Sequence, residues 1–80
     1  MIAMSITDAT TFGGWLKSNR RAHDLTQVQL AQRVGCAEIT IRKIEACHLR
    51  PSKHLVGLLL EELQVPRGQR EPLMQLARRR

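Results

Sequence analysis

The sequence predicts a small all-α domain, a compact five-helix bundle, and three observations favour this fold class. Apolar residues recur every three to four positions in one segment after another, which is the spacing of one face of a helix. No segment alternates apolar and polar residues as a half-buried strand would. The chain has 80 residues, 42% of them hydrophobic, which suffices for one core but leaves little room for a catalytic pocket. We therefore expect a single domain that is not an enzyme.

The first helix follows a segment without a clear pattern, and we expect residues 1–10 to form a flexible N-terminal arm. The predicted domain covers residues 11–80. Its first helix starts near Thr11, capped by that residue or by Thr10, and ends before Asp24, which tolerates the left-handed conformation common at helix ends. The apolar residues at helical spacing in this helix are Phe12, Trp15 and Leu16.

The next segment predicts two short helices joined by a tight turn. Thr26 and Gln29 have the spacing of a capping box, which opens the second helix. Gly35 reaches a positive φ at little cost and supplies the turn. A third helix follows over about residues 37–46, so the helix-turn-helix spans about residues 27–46. At ~100° per residue, Ala37, Thr40, Ile41 and Ile44 fall on the inner side of the third helix, and Glu38, Ile39, Arg42 and Lys43 on the outer side.

Two more helices complete the predicted bundle. Ser52 caps a fourth helix that runs to about Leu63 or Gln64, and its broad apolar stripe favours burial. Leu58 lies outside the centre of that stripe. Pro72 is expected in the first turn of a fifth helix. Backbone N–H groups there have no helical acceptor, so proline, which lacks the N–H, is tolerated. The residues of the fifth helix expected to close the core are Leu73, Leu76 and Ala77.

The charge balance indicates a polyanionic partner. The chain has 13 Lys and Arg against 7 Asp and Glu, a net charge of +6 at pH 7 and a pI of about 10.7. Lys and Arg displace the counterions condensed on nucleic-acid phosphates. Much of the excess lies between Lys17 and Lys53, the stretch that contains the helix-turn-helix. Phe12 and Trp15 are too few aromatic residues for a single-strand binding module, which needs several exposed rings.

Disulfide, metal and membrane functions find little support in the sequence. If residues 37–46 are helical, a rise of ~1.5 Å per residue places Cys36 and Cys47 roughly 15 Å apart, too far for a disulfide. Their spacing to His48 and His54 matches no closed zinc site, so neither a metal nor a cofactor is expected. No apolar run reaches the ~18 residues of a membrane span, and no signal-peptide core is present. We expect a cytoplasmic protein without a membrane partner.

Several short motifs at fixed offsets carry a resemblance to a known family. They are Leu25-Thr26-Gln27, Leu30-Ala31, Val34-Gly35, Thr40-Ile41-Arg42-Lys43-Ile44-Glu45 and Arg50-Pro51-Ser52. On these motifs, the stretch from Leu16 to Ser52 resembles the Cro/repressor-type helix-turn-helix family, also called the lambda-repressor-like or xenobiotic response element family. The resemblance implies a lambda-repressor-like DNA-binding fold that reads double-stranded DNA through the major groove.

The resemblance also implies roles for individual residues. It places the start of the third helix against base edges, with Glu38, Ile39 and Lys43 at the family's base-contacting positions and Arg42 beside them, and we expect base contacts from these four residues. A Glu can accept from cytosine N4, a Lys can donate to guanine, and an Ile can touch a thymine methyl. The residues expected at phosphates are Thr26, Gln27, Arg50, Lys53, Lys17 and Arg21. Arg20 and Glu45 correspond to a partly buried ion pair that ties the first helix to the end of the third.

Two functions remain as alternatives at this point. One is a sequence-specific transcriptional regulator that binds DNA as a homodimer or within a longer polypeptide carrying a C-terminal effector domain. The other is a protein-interaction module on the same fold, antitoxin-like or an assembly factor, for which an exposed Leu58 would be the contact. A simpler interpretation of Glu38 is that it only stabilises a helix N-terminus. Each cationic phosphate candidate can equally be a solvated surface charge.

Two cysteines depart from the pattern of the resembled family. Cys47 stands where the family usually has glycine, which predicts a less tightly capped end of the third helix. Cys36 replaces a buried aliphatic residue, and we expect it to act as an inert small hydrophobic side chain, with a redox-sensing thiol as the alternative.

Overall fold

The computed structural model describes residues 11–78, and over this range the chain forms five α-helices and no strand. The helices are α1 Phe12–Ala22, α2 Gln27–Val34, α3 Glu38–Glu45, α4 Lys53–Glu62 and α5 Arg67–Ala77. The predicted all-α, five-helix fold class is therefore confirmed. The arm expected at residues 1–10 lies outside the described residues, as do the last two arginines of the chain.

Side-chain caps fix the starts of α1, α2 and α4. The hydroxyls of Thr11 and Ser52 each accept a hydrogen bond from the backbone N–H three residues further on, at 3.0 and 3.1 Å. At α2 the predicted capping box is present: Thr26 Oγ1 accepts from Gln29 N at 3.0 Å, and Gln29 Oε1 accepts from Thr26 N at 2.9 Å. These bonds satisfy N–H groups that the first turn of a helix leaves without helical partners.

Residues with a left-handed backbone fix the ends of the first four helices. Gly35 follows α2 with a φ of 76°, as expected for the turn. Non-glycine residues take the same conformation after α1, α3 and α4: Asp24, Cys47 and Gln64, with φ values of 57°, 63° and 57°. After each of the four, the next N–H bonds to the carbonyl five residues earlier, at 2.8 to 3.2 Å. This geometry satisfies carbonyls that a helix end would otherwise expose.

All five helices contribute to one hydrophobic core. α2 packs against α3 and α4, α1 against α3 and α5, and α4 against α5. The largest fully buried side chains come from all five helices: Leu16, Leu30, Ile41, Ile44, Val56, Leu59, Leu60 and Leu73. Because Ile41 and Ile44 anchor α3 from the inside, the opposite side of this helix faces solvent.

The expected position of Pro72 is wrong. It lies inside α5, at the sixth residue, and not in the first turn. The helix starts earlier because its first turn is held directly after Pro66: Gln69 N donates to Pro66 O at 3.0 Å, and Arg70 Nε donates to Val65 O at 2.9 Å. Pro72 therefore removes one helical N–H donor within α5.

Candidate nucleic-acid interface

The four residues expected at base edges share one accessible side of α3. We call this side the outer face; its residues are Glu38, Ile39, Arg42 and Lys43. Ile39 is 48% exposed, so an apolar side chain is accessible on this face. Arg42 and Lys43 are exposed, and Glu38 is partly exposed. The outer face thus presents an acceptor, an apolar group and two cations to solvent from one short helix.

An ion pair joins two members of the outer face. Arg42 Nη2 donates to Glu38 Oε2 at 2.9 Å, one helical turn apart, with the side chains 57% and 40% exposed. Residues four apart on a helix are neighbours on its surface, so the spacing of Glu38 and Arg42 was the signal for this pair. The carboxylate of Glu38 is therefore neutralised within the outer face while part of it still reaches solvent.

The C-terminal end of α3 is tied to α1 by a buried ion pair. Arg20 Nε donates to Glu45 Oε2 at 2.7 Å and Arg20 Nη2 to Glu45 Oε1 at 3.0 Å, with side chains only 9% and 3% exposed. Arg20 Nη1 also donates to Leu25 O at 2.7 Å. The hydrogen bonds that Arg20 donates to the Glu45 carboxylate raise the pKa of Arg20, although burial acts in the opposite direction. The pair that the resemblance implied is present, and it fixes α3 relative to α1.

The start of α2 is tied to the same carboxylate. Gln27 Nε2 donates to Glu45 Oε1 at 3.0 Å, and Gln27 is half-buried. A primary amide has two N–H donors, so one of them stays available for a phosphate. Thr26 beside it is exposed, although its hydroxyl oxygen and its backbone N–H belong to the capping box. Sequence reasoning missed this bond because it depends on how α2 and α3 cross.

The remaining phosphate candidates are spread over three segments. Lys17 and Arg21 are exposed on α1, one turn apart, and Lys53 is exposed at the first position of α4. Arg50 lies in the connection between α3 and α4, and its Nη1 donates to Arg78 O at 3.3 Å. These four cations therefore come from α1, from α4 and from the connection before α4.

Gly13 is a position that sequence reasoning missed. A Cβ there would collide with the carbonyl oxygen of Ile44 and would lie 3.0 Å from the carbonyl oxygen of Glu45. The N-terminal end of α1 therefore approaches the C-terminal end of α3 closely enough to require glycine. The available signal was helical spacing, since Gly13, Leu16 and Arg20 fall on one face of α1.

The two cysteines, Cys36 and Cys47, are both free thiols. Cys36 packs against the core, and burial raises the pKa of its thiol, which disfavours the reactive thiolate.

Within residues 11–78, no group of three or more His, Cys, Asp or Glu could hold a metal ion. None of the helices in the described range is long and apolar enough to cross a bilayer.

Leu58 does not provide the exposed contact that a protein-interaction module would need. It is partly buried and packs against the core. The large hydrophobic residues that are exposed in the described part of the chain are Val28, Ile39 and Leu49. The expected support for the alternative function is therefore absent at Leu58.

A capped helix, a left-handed glycine turn and a second helix with an accessible polar face define the helix-turn-helix class of DNA-binding domain. The family model described as helix-turn-helix domain matches residues 11–73. The chain belongs to this family, and the resemblance to Cro/repressor-type domains is confirmed. No curated protein and no solved structure matches the chain significantly.

Proposed function

We propose that this protein is a transcriptional regulator that binds double-stranded DNA sequence-specifically through α3. The observation that carries the proposal is the outer face, where four side chains able to contact base edges are exposed or partly exposed on the second helix of a helix-turn-helix. In this class that helix enters the major groove with its N-terminal residues against the bases, while the first helix crosses the backbone.

Three of the four outer-face residues have chemistry that suits direct contact with base edges in the major groove. Lys43 donates to O6 and N7 of guanine, and Ile39 contacts the methyl group of thymine. Glu38 accepts from the N4 amino group of cytosine. An isoleucine left 48% exposed costs hydration free energy in the unbound domain, which burial against thymine would recover.

Backbone contacts would set the position of α3 in the groove. The first turn of α2 offers N–H groups that suit a phosphate oxygen, together with the side chains of Thr26 and Gln27. The exposed cations outside α3 add contacts without sequence preference: Lys17, Arg21, Arg50 and Lys53. Binding therefore weakens as salt rises. One module covers few base pairs, so two half-sites about one helical turn apart are needed, with a homodimer or an attached effector domain supplying the second contact.

Selection of bound duplexes from a random pool tests the proposal. We expect the protein to enrich one sequence, and Lys43→Ala to relax preference at one base pair of it by roughly 5- to 100-fold. Arg67→Ala is the matched control, because it removes one exposed cation from α5, which packs on α1 and α4. It should leave the preferred sequence unchanged. A pool without enrichment, or equal effects of the two variants on preference, would refute the proposal.

A further inference from the structure

We propose that Arg42 determines specificity through Glu38: its guanidinium holds and neutralises the Glu38 carboxylate, which then accepts a hydrogen bond from a cytosine amino group. Arg42 is in this account a positioning residue, and the base it controls is the one that Glu38 reads. The inference rests on the proposed function, since it assigns separate roles in DNA binding to two residues of the outer face.

The geometry of the ion pair leaves acceptor capacity on Glu38. The bond from Arg42 Nη2 reaches Oε2 at 2.9 Å. An ionised carboxylate has about four lone-pair positions, and one bond from a single guanidinium nitrogen uses one of them. Because the Glu38 side chain is 40% exposed and stands at the first residue of α3, the other lone pairs are accessible at the end of the helix that approaches the bases.

A carboxylate between two phosphate strands needs a cation beside it. Negative phosphates repel an unpaired Glu side chain, and removing it from water adds a cost. At ~100° per residue, Arg42 lies about 40° from Glu38 around α3, whereas Lys43 lies about 140° away. Arg42 is the outer-face cation placed to stay paired with Glu38 while that carboxylate contacts DNA. Lys43 is left to contact a base of its own.

Two roles for Arg42 predict different results. If Arg42 acts through Glu38, its removal weakens preference at the Glu38 base pair and matters little once the carboxylate is gone. If Arg42 contacts a base directly, it controls a base pair of its own whether or not residue 38 is charged. Coupling between two substitutions, measured separately at each base pair, distinguishes these roles.

The experiment uses the full chain and the duplex it selects, with every base pair of the site substituted in turn. Binding is titrated for wild type, Glu38→Ala, Arg42→Gln, the double variant and Arg42→Lys. We expect Glu38→Ala, which removes the acceptor, to lose the cytosine preference, and Arg42→Gln to weaken it by about 10-fold at the same base pair. In the Glu38→Ala background, Arg42→Gln should change preference at every position by less than about twofold. Arg42→Lys, which keeps the charge, should restore part of the preference.

Three results would overturn the inference. Arg42→Gln could change preference at a different base pair and keep that effect in the Glu38→Ala background. Glu38→Ala could leave every preference unchanged. Wild-type protein that selects no sequence would refute the proposed function itself, which separates that failure from the first two. The side chains of Arg42 and Glu38 are 57% and 40% exposed, and thermal melting by circular dichroism verifies that each variant is folded.

Discussion

Replacing Glu45 by alanine should destabilise the domain strongly. The substitution removes the acceptor of two hydrogen bonds from Arg20 and one from Gln27. Arg20 keeps its bond to Leu25 O, but its charge stays in a site where the side chain is 9% exposed. Breaking a buried pair by removing one partner costs about 3–5 kcal/mol. Against a typical stability of roughly 5–15 kcal/mol, this is a large fraction of the free energy of unfolding.

Urea unfolding followed by circular dichroism measures this loss of free energy. In thermal unfolding, the melting temperature should fall by roughly 15–30 °C for a domain of this size. Arg33→Ala is the control, because its ion pair with Glu62 has side chains 55% and 30% exposed and should contribute only about 0–1 kcal/mol. The double variant Arg20→Met/Glu45→Leu should recover most of the stability, since it leaves no unpaired buried charge. Equal losses for Glu45→Ala and Arg33→Ala would refute the reasoning.

Three further predictions concern the glycines and the cysteines. Gly13→Ala should lower the free energy of unfolding by about 1–3 kcal/mol, because the added Cβ meets the carbonyl of Ile44. Gly57→Ala is the control: it has open space around its Cβ and should raise the free energy of unfolding by about 0.5–1 kcal/mol. Urea titration measures both changes. Cys47→Gly should stabilise the domain by about 1 kcal/mol, because Cys47 has a φ of 63°, and an unchanged unfolding midpoint would contradict this. Iodoacetamide at neutral pH should alkylate exposed Cys47 faster than Cys36, as read by mass spectrometry of peptides; the reverse order would contradict the burial of Cys36.

The parts of the fold that depend on local sequence could be predicted. The capping box at Thr26 and Gln29 and the left-handed turn at Gly35 involve residues within a few positions of one another. The burial of Ile41 and Ile44 follows from helical period alone. The start of α5 was missed because Pro72 also suits the first turn of a helix. In the structure the first turn follows Pro66, where Gln69 N and Arg70 Nε bond back to the carbonyls of Pro66 and Val65.

The candidate site was predictable as a face but not as a set of contacts. Helical spacing places Ile39 and Lys43 on the accessible side of α3. The bond from Gln27 to Glu45 and the close approach at Gly13 depend on how α3 crosses α2 and α1. No local pattern encodes such a crossing. The pairing of Glu38 with Arg42 could be predicted in part. The four-residue spacing allows the ion pair, but only the structure shows that the hydrogen bond is formed.

The amide chemical shifts of the ¹⁵N-labelled protein, followed while the selected duplex is added, test the central claim most directly. If α3 enters the major groove, the largest changes should fall on Glu38 to Lys43 and on the first turn of α2, with little change along Arg67–Ala77. Largest changes along α5 with α3 unaffected would contradict the account.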